Sequence, residues 1–320
     1  MTSADHSLGV AIIGCGRIAR AHAEAIAATP DAHLTWVCDV DEHAARSLAH
    51  DFAAHEYSCD ARTLLETSRP DIAIVCTPPI SHREIACDCL RAGVHVLCEK
   101  PLGIAPDEVE TMNDVARETG RVLMMASKFR FVAAVRKARE TIASGALGEL
   151  LLWRNSFLAP VDMKGRMNAQ RKVSGGGVLM DNGPHAFDLA RFLLGPIIPT
   201  RAETLPSQQQ IEVEDGAQIG FTSERFGSLR GAICLSWSAH AATPHFLEIC
   251  GTRGALAIGW NDYDKKEAFQ AQLKHFMEVA RGRSQPLVSQ PLVTPDDALS
   301  NARIIAQCYG MMTNGKRAAA

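Results

Sequence analysis

None of the ten cysteines forms a C-x-x-C pair, so the sequence offers no ready structural zinc site and no metal ligand set is expected. The cysteines are scattered instead, several inside apolar runs: Cys38 in LTWVCDV, Cys76 in IAIVCTP and Cys98 in VHVLCEK. Thiols placed this way read as reduced and buried. Long apolar runs are absent as well, and none reaches the length that spans a bilayer. Residues 1–7 are short and polar and the first apolar run has strand length, so no secretory leader is expected. Together these absences point to a reducing cytoplasm. Charge runs are missing too, and the formal net charge is only -3, which argues against nucleic acid or a membrane surface as partner. No internal repeat and no low-complexity linker interrupts the 320 residues. That length predicts two domains, at about 150 residues each, with a short hinge near Ser127.

What is present starts with Leu8–Ile13 (LGVAII), an apolar run followed directly by Gly14-Cys15-Gly16-Arg17-Ile18-Ala19 and an alanine-rich helical stretch. Strand, glycine turn and helix stand in the order a dinucleotide fold requires. Gly14 permits the tight turn, Gly16 lets the backbone approach a pyrophosphate, and Ala19 keeps helix and strand close. The helix start, at Arg17 and Ile18, offers free amides to the phosphates. A second strand over residues 33–37 leads to Asp39, where an acid accepts hydrogen bonds from a ribose 2′-hydroxyl and repels a 2′-phosphate. NAD is therefore expected over NADP. Further strands follow at residues 71–76, 94–98 and 122–126, with helices at 81–92 and 107–119. Apolar strands alternating with helices predict an α/β Rossmann unit with a doubly wound parallel sheet over residues 1–126. Ligands of such sheets sit beyond the strand C-termini, where Thr77, Pro78, Glu99 and Lys100 fall. His82 lies close by, either beside the cofactor pocket or as a helix-start residue.

After Ser127 the pattern changes. A helix over residues 131–144 precedes longer alternating strands at 149–157, 218–222, 228–238 and 246–249. Residues 127–320 are therefore expected to form an α+β substrate and oligomerisation domain with a large open, mostly antiparallel sheet. Closing helices are expected at 273–281 and 295–309, the last able to pack back on the first domain, with a frayed tail at 311–320. Within this half, GGGVLMDNGPHAFDLARFLL places Asp181 four residues before His185. On a helix from about Val178 the two share one face. A carboxylate beside an imidazole fixes its tautomer and stabilises its charged form, which suits a general base. Asp188, one turn further on, reads as a helix-surface or capping group. The loop at residues 162–172 carries Lys164, Arg166, Arg171 and Lys172, which either clamp a phosphate or are simply solvated. Arg130, Arg154, Asn155, His240 and His245 are further substrate-pocket candidates.

The motifs AIIGCGRIA, CTPPISH, VHVLCEKPLG, SGALGEL, GGGVLMDNGPHAFDLARFLLG, FLEICGTRGALAI and HFMEVARGRSQPLVS stand in this order along nearly the full length. In this the chain resembles the Gfo/Idh/MocA oxidoreductases, the group of glucose–fructose oxidoreductase and inositol 2-dehydrogenase. The resemblance implies a Rossmann domain with a substrate domain, packed into homodimers or homotetramers. It also implies a Lys/Asp/His set that falls on Lys100, Asp181 and His185, and a cis peptide before Pro101. The departures are Ala19 in the third glycine slot and Pro79 where many relatives carry Asn. The activity it implies is NAD-dependent oxidation of a ring secondary hydroxyl of a sugar, an inositol or a derivative, or reduction of the matching ketone. Two alternatives are a glycosidase that cycles NAD with no net NADH, and a non-catalytic dinucleotide-binding regulator. Retention of Lys100, Asp181 and His185 together speaks against the regulator.

Overall fold

A computed structural model of the protein describes residues 7–282 and 293–318. The polar start at residues 1–6 and the end of the last motif, residues 283–289, lie outside the described residues. The chain opens β1 (Leu8–Ile13), α1 (Arg17–Ala27), β2 (Ala32–Cys38), α2 (Glu42–Phe52), β3 (Glu56–Ser58), α3 (Ala61–Thr67) and β4 (Ile72–Val75). It continues with α4 (His82–Arg91), β5 (His95–Cys98), α5 (Pro106–Thr119), β6 (Leu123–Met125), α6 (Ala133–Ala143), β7 (Leu150–Leu158), α7 (Arg171–Ser174) and α8 (Val178–Leu194). Then come β8 (Ile197–Thr204), β9 (Gly216–Ser223), β10 (Arg230–Ser236), β11 (His245–Gly251), β12 (Ala255–Gly259), α9 (Lys265–Ala280) and α10 (Pro295–Ala318). Two compact units emerge: residues 1–103, 107–128 and 265–298, and residues 104–106, 129–264 and 299–320.

The first unit holds a parallel sheet in the order β3-β2-β1-β4-β5-β6. Its central strands are covered on both faces, and every residue of β4 is 0% exposed. This is why they are written as unbroken apolar runs rather than alternating ones. The strand order reverses between β1 and β4, the switch point at which such sheets bind ligands. Residues 265–298 group with this unit although they follow the second sheet in sequence. In α9 the side chains of Phe269, Leu273 and Phe276 make a buried stripe, and the Phe269 ring meets His22 of α1 edge-on at 4.8 Å.

The second unit is built on a sheet in the order β12-β11-β7-β10-β9-β8. Its pairs are antiparallel except β7 with β10, which run parallel. One face carries α8, so β7 alternates: Trp153, Asn155 and Phe157 are buried while Leu152 and Arg154 are exposed. The expected fold class holds. Several elements differ from the sequence reading, among them α2, β3 and α3, for which no element is expected between residues 39 and 71. β8 contains Pro199, which hid it as a strand. It sits at the sheet edge, where a missing N–H breaks no ladder. β12 is short and follows β11 closely, and the sequence reading, which ends its last strand at residue 249, expects no strand there. The tail expected after residue 310 instead continues α10 to Ala318.

Candidate active site

In the first unit, Gly14 takes φ +92°, and a Cβ there would lie 2.6 Å from the Cys76 carbonyl carbon and the Thr77 nitrogen. The turn can thus pass close over the end of β4 only as glycine. At Gly16 the situation is opposite: a Cβ would meet nothing within 4 Å. Behind that open space α1 begins without a side-chain cap, leaving the amides around Arg17 and Ile18 for an incoming anion. Asp39, half-buried at the end of β2, accepts the Cys15 amide at 2.6 Å and the Asp41 amide at 2.9 Å. A tight glycine turn, open space, uncapped amides and a fixed acid fit a dinucleotide, with pyrophosphate at Gly16 and a ribose at Asp39. Burial, followed by the Asp39 charge, pushes the intervening Cys15 thiol up to about 12, so it stays protonated.

Lys100 follows β5, and its peptide to Pro101 is cis. Its neighbour Glu99 is 8% exposed and meets His22 Nε2 at 2.8 Å. Burial opposes the Glu99 charge, but the His22 hydrogen bond and nearby Lys100 and Lys128 outweigh it and hold the carboxyl below its ordinary value. Thr77 and Pro78 follow β4, where Ser81 Oγ donates to the Pro78 carbonyl at 2.8 Å and lies 2.9 Å from Thr77 Oγ1. His82 opens α4 but is 1% exposed. Its two ring nitrogens lie 2.8 Å from the Pro101 and Thr77 carbonyls. It therefore bears on the site through those carbonyls rather than by facing a ligand.

In the second unit, Asp181 and His185 stand one turn apart on α8, both half-buried. The His185 ring meets Phe129 edge-on at 5.2 Å, and Phe129 itself stacks on Phe157 and Tyr263. The start of α8 is packed solid. A Cβ on Gly176 would run into the Tyr309 hydroxyl, and one on Gly177 into the Glu214 backbone. Glu214 Oε1 accepts the Gly177 amide at 3.0 Å, the Leu179 amide at 3.2 Å and the Tyr309 hydroxyl at 2.7 Å. Its carbonyl accepts the Val178 amide at 2.9 Å. Burial and the Glu214 charge raise Tyr309 well above the ordinary tyrosine range, which keeps it a donor. Pro184 removes one N–H within α8, and its carbonyl accepts Asn301 Nδ2 at 2.8 Å. The helix carrying Asp181 and His185 is thus pinned at its first turn and near its middle.

Other candidates scatter. Arg130 is 3% exposed and holds Asp188 through three contacts of 2.7–3.1 Å. Asp188, expected at a helix surface or cap, is 3% exposed and is instead half of a buried ion pair; the apolar face of α8 gave no hint of a buried cation partner. Asn155 is 1% exposed and donates to the Phe246 carbonyl at 2.9 Å. His245, at the start of β11, is 40% exposed and 3.9 Å from Glu248. His240 and Arg154 are exposed. Lys164, Arg166, Arg171 and Lys172 are all exposed, and Arg171 is tied to Glu212 through its amide and guanidinium. Sequence reading missed Glu214, Tyr309 and His22. Only His22 left a signal: it lies with Ala19, Ala23 and Ile26 on the buried stripe of α1, where a polar ring needs a partner.

The parallel sheet, its switch point and the open glycine turn define a dinucleotide-binding unit, joined in one chain to a second unit carrying an acid–histidine helix. Residues 8–127 match the model described as oxidoreductase family, NAD-binding Rossmann fold, and residues 135–257 match the GFO/IDH/MocA C-terminal domain. The chain belongs to the Gfo/Idh/MocA family of oxidoreductases. It is 34% identical over 190 residues to D-glucoside 3-dehydrogenase of Escherichia coli (strain K12), covering 59% of this chain and 54%, about half, of that protein. It is 28% identical over 328 residues to levoglucosan dehydrogenase of Pseudarthrobacter phenanthrenivorans, covering 88% of this chain and 82% of that one. The crystal structure of GenD2 from gentamicin A biosynthesis in complex with NAD superposes with a TM-score of 0.86 at 26% identity, over 97% of this chain and 95% of that one.

Proposed function

We propose that the protein is an NAD-dependent dehydrogenase that oxidises a ring secondary hydroxyl of a sugar, an inositol or a derivative of one, or reduces the matching ketone. The observation that carries this reading is the Asp181–His185 pair, one turn apart and half-buried on a helix pinned at its start. The names of the relatives, D-glucoside 3-dehydrogenase and levoglucosan dehydrogenase, support the same chemistry. Bound NAD supplies the hydride acceptor. His185 takes the hydroxyl proton, and Asp181 stabilises the imidazolium and helps orient the substrate. Lys100 polarises the reacting oxygen and favours alkoxide-like charge as the C–H bond breaks. Asp39 favours NAD over NADP by accepting from ribose hydroxyls and repelling a 2′-phosphate.

A homodimer or homotetramer through the open face of the second sheet completes the proposal. Across that face Ile198, Thr222, Arg230, Leu152 and Cys250 form one cross-strand row. Ile198 and Leu152 are 47% and 44% exposed, more apolar surface than a solvated sheet needs. The ten free thiols suit a reducing cytoplasm. The test is NADH appearance with NAD or NADP across inositols, hexoses, hexose phosphates and nucleotide sugars. Turnover of one group with NAD in preference to NADP supports the reading. A flat panel from protein that still binds NADH overturns it. Equal rates on free and phosphorylated sugars exclude a phosphate role for the loop at residues 162–172.

A further inference from the structure

We propose that His22 and His82 form a clamp that sets the position of Lys100, which makes both histidines positioning residues for the reaction. The inference rests on the role given to Lys100 above.

Lysine carries its ammonium on four flexible carbons, so a fold limits the reach of that group mainly by fixing the backbone beneath it. Here the backbone is held on both sides. Upstream, Glu99 Oε2 accepts the amide of Lys100 itself at 3.3 Å, while Glu99 Oε1 is held by His22 Nε2 at 2.8 Å. Downstream, His82 Nδ1 meets the Pro101 carbonyl at 2.8 Å. Each histidine is 1% exposed, so neither reaches a substrate or cofactor. What they do reach are the Glu99 carboxylate, which accepts the Lys100 amide, and the carbonyl of Pro101, in the peptide one step beyond Lys100.

Their anchors bear on cofactor binding. His22 belongs to α1, the helix that begins at the open glycine turn. The other nitrogen of His82 lies 2.8 Å from the carbonyl of Thr77, beyond β4. A neutral imidazole donates through one nitrogen only. The clamp therefore requires the tautomer of His82 with its proton on Nδ1, toward Pro101, and the tautomer of His22 with its proton on Nε2, toward Glu99. An ordinary core histidine could use either nitrogen.

That difference gives the test. Asparagine places its amide nitrogen near the site of Nδ1, and glutamine near that of Nε2. His82→Asn keeps a donor toward Pro101, and His82→Gln has a donor only toward Thr77. At His22 the order reverses, because Nε2 carries the contact. Misplacing a reacting group by about 1 Å costs about 10²-fold. The expected result is a kcat about 10²-fold lower in His82→Gln and His22→Asn, with kcat within about threefold of wild type in His82→Asn and His22→Gln. NADH affinity, read by fluorescence, should differ by less than about threefold among all four. Equal kcat within either pair overturns the clamp, as does a loss that follows NADH affinity or melting temperature. If wild type turns over no polyol, the dehydrogenase reading fails first, and the clamp is read without activity. The 13C resonance of reductively dimethylated Lys100, assigned by its loss in Lys100→Arg, should move in His82→Gln and stay in His82→Asn. No difference between those two variants overturns the clamp on its own.

Discussion

The helix starts of α1 and α8 both lie behind glycines, yet different things occupy the space in front of them. At α1 that space is open: a Cβ on Gly16 would touch nothing within 4 Å, and no side chain caps the first amides. At α8 it is filled by the protein. Glu214 Oε1 takes the Gly177 and Leu179 amides, and Tyr309 takes the room a side chain on Gly176 would need. A helix start attracts an anion in either case, through unpaired N–H groups and the positive dipole end. In α1 the anion must come from a ligand. In α8 it is a built-in carboxylate, and the helix is held still for Asp181 and His185. Glycines before a helix therefore mark close approach, and what approaches is decided elsewhere in the chain.

The largest test of this contrast removes the reactive group from α8 while leaving its start filled. His185→Ala should lower turnover by about 10²–10⁴-fold with NADH affinity unchanged, measured by steady-state kinetics and NADH fluorescence. Wild-type turnover in that variant would remove His185 from the reaction. Next comes a matched pair of glycine substitutions. Gly177→Ala drives a Cβ into the Glu214 backbone and should destabilise by about 3 kcal/mol, the upper range of overpacking. Gly16→Ala should change stability by less than about 0.5 kcal/mol while weakening NADH binding. Equal melting temperatures for the two would break the comparison.

Glu214→Ala is milder, because water can reach amides that a backbone clash would never release. Loss of a cap costs about 1 kcal/mol, at most about 2. The expected signature is a lower melting temperature together with lower kcat, since the first turn of α8 loosens. No change in either would show that Glu214 is a bystander.

The first sheet was far more legible than the second site's supports. Strands buried on both faces announce themselves as apolar runs, and Gly14, Asp39 and Lys100 fall at their ends. β8 was hidden because its edge position tolerates Pro199, and edge position is a property of the whole sheet rather than of the segment. Asp181 and His185 were visible as a helical spacing. Glu214 was not, because it reaches α8 from the loop before β9 and no local pattern encodes a cap supplied from a distance. Arg130 and Asp188 show the same limit from the other side. Each looks available in sequence, and the fold closes them on each other, 58 residues apart.

The smallest expected effect concerns pH, and it reads the loops that carry the open site. Burial lowers His82 below the ordinary value of 6.5, against the pull of its two carbonyls and Glu99, and burial followed by the Arg121 charge lowers His95. A base whose folded value is depressed binds fewer protons folded than unfolded, so stability rises with pH across the window between the two values. Stability should therefore be complete above about pH 7 and begin to fall as the pH drops through 6.5. Glu99 and Asp215 are also held below their ordinary values of 4.5 and 3.8. In each, hydrogen bonds win over the cost of burial: from His22 for Glu99, and from Ser238 and the Gln208 and Gln209 amides for Asp215. Acids lowered in this way lose their contribution only at more acid pH, as they protonate in the folded state. The melting temperature should thus decline in two limbs, a shallow one below 6.5 and a steeper one below 4.5. In His82→Asn the first limb should flatten, since an amide does not titrate. A first limb unchanged in that variant would mean that His82 does not carry the acid sensitivity of the loops around Lys100.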